Sequence, residues 1–473
     1  MTHKPSLFLA GLALLAVAAC LRAPLRSAPS PPAPQRTAVA QAEITAALPV
    51  IPDAKFNLLD YGAAGDGKTL NTDAFKNAVA GMAKAGGGHL IVPAGTLKTL
   101  PFVLISHMDL HLEAGAIIKA PDTFEEYGIP DPNKAAAAQP GGRGGFGRVA
   151  PLISCPTGTT DLAITGSGTI DGSGAMFWMW SDKAARRYPP GRPVVARPFL
   201  VSLAGVERLH VDGITLTNSP MFHLVPTCQD ITIENLRIVA PSDAPNTDAI
   251  DPGGQRIVIR NCEIDTGDDN VALKNGARDV LIEDLTCLHG HGISIGSGTR
   301  DGLSHVIVRR CSFNGTDNGL RIKSYRGNGG EVHDIRYSDI VMKNVRRPFD
   351  INMLYNGNAG GPTDVGPRQA TPGQTQAIPN FHDIHVTNLT VTRSPLAGRI
   401  LGLPEQMANA ITFTNVKIQS TRGFLVQDGK DIAFDNVRID VAMGEPLVLD
   451  NASVKWNGTP KSGSSGGPPD PFY

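Results

Sequence analysis

Six cysteines in 473 residues are too few for a disulfide scaffold, so an apolar core has to hold the fold. Neither sign of charge prevails. The chain carries 43 Lys and Arg against 44 Asp and Glu, a formal net charge of -1. That balance argues against a nucleic-acid binder, which carries a basic excess. After residue 20 no run is apolar enough to span a bilayer. A hydrophobic content of 41% excludes a chain disordered throughout.

The two ends read as appendages. Residues 1–20 have the make-up of an export signal: His3 and Lys4, then an apolar stretch from Leu7 to Ala19. The stretch ends Val17-Ala18-Ala19-Cys20, which resembles a bacterial lipobox and makes Cys20 a candidate lipidation site. An ordinary secretory signal is the alternative, and either form exports the protein to the cell envelope or beyond. Residues 21–50, rich in Ala and Pro, read as a disordered linker, and residues 459–473 as a flexible tail. The stretch 51–458 is left as one catalytic-domain candidate.

Within that stretch a pattern recurs: apolar-x-apolar-x-x-apolar-x-apolar. It begins at Leu209, Ile231, Ile257, Val280, Val306, Ile335, Ile384, Ile411 and Ile432, nine copies in all. The steps between starts are 22, 26, 23, 26, 29, 49, 27 and 21 residues. Period-2 alternation broken by one extra residue, often Asn or Asp, is two short strands joined by a tight bend. Repetition at this spacing means a solenoid, and β-branched strands with Gly, Asn and Asp loops make it a β-solenoid. The expected fold is all-β, a parallel β-helix whose coils stack ~4.8 Å apart. Cys262, Cys287 and Cys311 occupy apolar slots and read as buried small hydrophobes. Asn71 to Ala85 supplies a capping helix, with Thr72 or Asn71 as N-cap, Phe75, Val79 and Met82 on one face, and Gly86-Gly87-Gly88 as the stop.

A further strand follows the bend in each repeat. Four consecutive ones align on their first apolar residue: Ile250, Val271, Ile293 and Leu320. Asp248, Asp269 and His291 then fall two positions before the anchor and Asp268 three before, on the other side of the chain at the same height. Arg321 follows its anchor by one and Lys323 by three. Stacked coils gather three carboxylates, a histidine and two cations on one face. Like charges in one column raise the pKa of at least one carboxylate, which suits a general acid at neutral pH. Two carboxylate functions flanking one bond are what glycoside hydrolysis requires.

The motifs Asn246-Thr247-Asp248, Gly267-Asp268-Asp269, Gly290-His291-Gly292 and Arg321-Ile322-Lys323 stand in this order. Tyr61-Gly62-Ala63-Ala64-Gly65-Asp66-Gly67 and Gly168-Thr169-Ile170-Asp171-Gly172 precede them. With these motifs the chain resembles the polygalacturonases of glycoside hydrolase family 28 over roughly residues 55–440. The resemblance implies a single-stranded right-handed β-helix and inverting hydrolysis of α-1,4-galacturonosyl bonds. The partner it implies is a pectic polysaccharide, and it implies no cofactor, no metal and a monomer. By the same resemblance Asp268 is the general acid, Asp248 and Asp269 activate water, and His291 supports the acid. Arg321 and Lys323 hold the substrate uronate. Tyr355, 32 residues after Lys323, is the candidate for a substrate-contacting tyrosine. Ala249 and Asn270 depart from the family's usual Gly and Cys.

Other readings attach to the same residues. Asp251, Asp265 and Asp284 are expected to serve bends structurally. His289 and His291 as metal ligands are a weaker reading, because His289 belongs to a different side of the strand, and Asp265, Asp268 and Asp269 as a calcium site are another. Trp178 and Trp180 either stack on sugar or pack against a loop. The inserts at 130–148 and 356–380 either close one end of the cleft, giving exo-action, or leave it open for endo-action. The rival functions are hydrolysis of rhamnogalacturonan or xylogalacturonan, a calcium-dependent lyase, and a non-catalytic polysaccharide-binding envelope protein.

Overall fold

A computed structural model describes residues 43–129, 149–178, 196–274, 276–356, 364–370 and 376–464. Cys20, Trp180, the 130–148 insert and most of the 1–50 region lie outside the described residues.

Strands stack in parallel, coil upon coil. Leu209, Ile231, Ile257, Val280 and Val306 stand in register, as do Ile335, Ile384 and Ile411 further along. The result is a parallel β-helix. All four apolar slots of each repeat point inward; in the coil of Ile257, for example, Ile257, Ile259, Cys262 and Ile264 are buried. The five described cysteines are free, and burial pushes the Cys262 and Cys311 thiols up to about 12.

The bend between the two short strands sits at the extra residue. Asn235, Asn261, Asn388, Asn415 and Asn436 all have φ between 53° and 58° there. Asn and Asp tolerate this left-handed conformation better than other side chains. Their amides also form a ladder, Asn436 to Asn415 at 2.8 Å and Asn415 to Asn388 at 3.2 Å.

Stacking continues beyond the nine repeats. Coils through Leu90, Leu110 and Leu162 precede them, and Leu447–Trp456 follows. The early coils escape the pattern because their bends are longer: Leu112 is followed by Ala116, not by a residue three positions on.

Helix α1 (Thr72–Ala85) closes the first coil with Phe75, Ala78 and Met82 fully buried, and ends at Gly86. Asn71 occupies the N-cap position without capping through its side chain. Its Oδ1 accepts from the Ala64 amide at 2.7 Å, which fastens the preceding loop.

At both ends, order reaches further than composition indicated. Ile44 is buried against Val258 and Leu281, and the amides of Ala47 and Val50 donate to Asp230 and Asp161. The linker expected over 21–50 therefore gives way to ordered chain by residue 44. Thr459–Gly463, expected in a flexible tail, pairs antiparallel with Ala452–Trp456 and covers that part of the final strand's edge.

Candidate active site

The anchors stack as the repeat requires. Leu224 pairs with Ile250, Ile250 with Val271, Val271 with Ile293, Ile293 with Leu320 and Leu320 with Phe349. Asp248, Asp269 and His291 therefore form one column. Asp268 joins them although its parity differs, because residues 266–270 form a bend and not a strand. His291 Nδ1 lies 2.8 Å from Asp268 Oδ1 and 3.7 Å from Asp269 Oδ1.

The motif residues that carry no charge build these bends. Thr247 Oγ1 donates to Ala244 O and accepts from the Gly267 amide, both at 2.9 Å, tying the Asp248 bend to the Asp268 bend. A Cβ on Gly267 would stand 2.1 Å from Ala244 O, so no side chain fits there. Gly292 has φ 75° and would meet Asn318 O at 2.2 Å. Asn270 Nδ2 donates to His289 O, and Asn270 Oδ1 accepts from the Gly292 amide, bracing the turn that presents His291. The asparagine at this departure from the family pattern thus does backbone work.

The carboxylates differ in environment. Burial acts against ionisation of Asp269, but Lys323 and Arg321 outweigh it and hold its carboxyl below the usual range. Lys323 Nζ is 2.7 Å and Arg321 Nη1 3.4 Å from it, and Ser294 Oγ donates at 2.8 Å. Asp248 is pushed well above the usual range by burial and by the nearby Asp251 and Asp268. The carboxyl that the column of like charges raises is that of Asp248. Lys323 itself is lowered by burial and by Arg321. Tyr355 stands 5.3 Å over Arg321 and 5.5 Å over Lys323, and burial pushes its hydroxyl up to about 12.

Such an arrangement sets one carboxyl against an imidazole, with an ionised carboxylate next to it in the chain and a cationic pair beside that carboxylate. The Glycosyl hydrolases family 28 model matches residues 152–422. A protein from Vitis vinifera described as a probable polygalacturonase is 32% identical over 384 residues, covering 76% of this chain and 74% of its own. This chain belongs to glycosyl hydrolase family 28. A hyperthermoactive exopolygalacturonase from Thermotoga maritima superposes with a TM-score of 0.70 at 27% identity, over 84% of this chain and 94% of its own. A polygalacturonase from Erwinia carotovora gives 0.62 at 25% identity, over 84% and 99%.

Within this family 28 site, several participants escaped sequence reading. Asp251, expected to serve a bend, is buried in the site with Lys274 Nζ 2.5 Å away. Its two fellows lie at the surface instead, Asp265 pairing with His289 and Asp284 with Arg310. Asp317 lies 3.4 Å from His291 Nε2, so the imidazole sits between two carboxylates. It precedes Leu320 by three positions, the offset that Asp268 has from Val271, so the signal was present.

Beyond Arg321 runs a buried chain of charges. Arg321 Nε lies 3.9 Å from Asp350, and Arg399 Nε donates to Asp350 at 2.7 Å. Asp364 accepts from Arg399 at 2.9 Å and from Arg347 at 2.7 Å. Asp364 belongs to the 356–380 insert and Val365 bridges to Tyr355, so this part of the insert is anchored beside the cations. Trp178 is buried, its Nε1 donating to Ser219 O at 3.2 Å, which is the packing role.

Proposed function

We propose that the protein hydrolyses α-1,4-galacturonosyl bonds of polygalacturonate by acid–base catalysis with inversion. The observation that carries this reading is the pairing of Asp268 with His291 beside an Asp269 held ionised by Lys323 and Arg321. One carboxyl touches an imidazole while its neighbour is held as an anion. Such a split assigns acid and base roles.

Asp268 gives its proton to the glycosidic oxygen as the C1–O bond breaks and the bonding pair goes to that oxygen. Water attacks C1 from the opposite face, and its proton passes to Asp269, with Asp248 holding the same water. Two neutral hydroxyls and one new reducing end result, so protons balance over the turnover. His291 keeps the Asp268 proton aimed at the leaving oxygen. Arg321 grips a uronate carboxylate, for which its planar guanidinium is suited. Lys323 adds a point charge, and Tyr355 walls the uronate position. No metal enters these steps.

The reading extends to location. The apolar stretch 7–19 and the Val17-Ala18-Ala19-Cys20 run support an exported enzyme with Cys20 as a lipid anchor. Loss of radiolabelled fatty acid from a Cys20→Ala variant tests the anchor.

The test of activity is reducing-sugar release from polygalacturonic acid in EDTA, wild type beside Asp268→Asn, with products resolved by size. Release that survives chelation and collapses in the variant supports the assignment. Product absorbing in the near ultraviolet, or arrest by EDTA, indicates a lyase. No release by folded protein rejects this substrate.

A further inference from the structure

Lys274 has no part in the steps above, yet it is built into the site. It follows Leu273, whose partner in the next coil is Ile295, and Gly296 after Ile295 pairs with Lys323. Lys274 and Lys323 thus share one column two coils apart. Lys323 serves Asp269, and Lys274 faces Asp251 at 2.5 Å and Asp248 at 3.8 Å. From the other direction Phe222 covers its ammonium, 4.7 Å from the ring centroid, and Phe222 is itself stacked on Phe199 at 5.0 Å. An ammonium clamped between a ring and a carboxylate has little freedom to leave.

Asp248 and Asp251 are both almost wholly buried, and Asp248 Oδ1 and Asp251 Oδ1 have no hydrogen-bond partner among the described residues. Two buried carboxylates without a nearby cation would be strongly disfavoured as anions. We propose that Lys274 is a positioning residue: held by Phe222 and Asp251, it supplies positive charge that offsets part of the Asp251 and Asp268 charge at Asp248, so that Asp248 becomes a carboxylate beside the attacking water at lower pH than it would without it. The inference rests on the assignment of Asp248 to water activation made above.

The charges that bear on Asp248 are Asp251, Asp268, Asp269 and Lys274, with His223 bonded to its backbone carbonyl. Burial pushes His223 down to about 4, so that ring is neutral and lends no charge. Lys274 is therefore the nearest source of compensation. Burial opposes its charge, but Asp251 and Asp248 outweigh it and raise its pKa, so it stays charged at any pH the enzyme meets. Without it, Asp248 keeps its proton to higher pH.

The experiment compares wild type, Lys274→Met, Lys274→Arg, Asp251→Asn and the Lys274→Met/Asp251→Asn double variant. Their kcat and KM on polygalacturonate are measured across pH, and the Asp248 carboxyl is titrated by carbon NMR of protein labelled at the aspartate carboxyl carbon. The Asp248 signal is assigned by its loss in Asp248→Asn. In Lys274→Met the titration and the acidic limb of kcat move up by about one pH unit or more. Below that limb kcat falls about tenfold, and KM changes little. Lys274→Arg restores the limb, and the double variant, which removes one charge of each sign, moves most of the way back. A Lys274→Met protein with lowered stability but an unmoved Asp248 titration overturns the proposal and leaves Lys274 a structural cation. Wild type inactive on polygalacturonate with a shifted titration would refute the substrate and keep the positioning role.

Discussion

Lys323 Nζ lies 2.7 Å from Asp269 Oδ2, so the cation assigned to the substrate already holds the carboxylate assigned to the water. Both residues are buried. One ammonium therefore couples uronate binding to the ionisation of the base. Removing it exposes the coupling. Asp269 has its folded pKa depressed, so its pairing contributes stability that is present above the unfolded carboxylate value of roughly 3.9 and lost as pH falls through the folded value. Lys323→Met should move the acidic limb of kcat/KM to higher pH and raise KM for polygalacturonate. Stability at neutral pH should fall by up to about 3–5 kcal/mol, since Asp269 loses its shortest cation contact and keeps Arg321 at 3.4 Å. A pH–rate profile and urea unfolding measure the two effects.

The His291 ring, between Asp268 and Asp317, gives a graded prediction. His291→Ala should lower kcat by about 100-fold or more. Asp317→Asn should lower it less, because the ring keeps its contact with Asp268. Steady-state kinetics on polygalacturonate checks the order, and an Asp317→Asn loss larger than that of His291→Ala would refute it.

Asp364 ties an insert to the coil that carries Asp350 through Arg347 and Arg399. Asp364→Asn leaves two buried guanidinium groups short of one carboxylate, a loss of about 3–5 kcal/mol. Asp350 is opposed by burial but held down to about 2 chiefly by Arg399. Its contribution is present above roughly pH 3.9 and lost as pH falls toward 2. Thermal unfolding at pH 7 should show the variant's deficit, and wild type should lose stability as pH falls from about 4 toward 2, where Asp350 takes up its proton.

The asparagine bends make a prediction far from chemistry. Asn415 has φ 56°. Asn415→Ala should cost about 1–2 kcal/mol from the left-handed backbone alone. It also loses the amide contacts to Asn388 and Asn436. Asn415→Gly removes the same contacts and relieves the strain, so it should cost less. Denaturant midpoints of the two variants give the comparison, with kcat unchanged in both.

The solenoid was legible because its periodicity is local. Each coil writes the same alternation and the same bend, and a run such as Ile231-Ile233-Leu236-Ile238 states its own burial. Aligning anchors then carried Asp248, Asp269 and His291 into one column, since parallel stacking preserves position along the strand. Where bends lengthen, as after Leu112, the pattern lapsed and early coils went unread.

Sequence by itself thus determined the coil, the face and the residue types that meet there. Tertiary structure alone decided which charge answers which. Asp251 and Asp265 look alike in sequence, yet one is buried against Lys274 and the other pairs with His289 at the surface. Arg399 and Asp350 lie 49 residues apart and meet only through coil stacking. The split that holds Asp269 ionised and raises Asp248 comes from burial and from cations one or two coils away. Those distances depend on how each loop folds and where it turns its side chains between coils, and a periodic pattern carries no information about that.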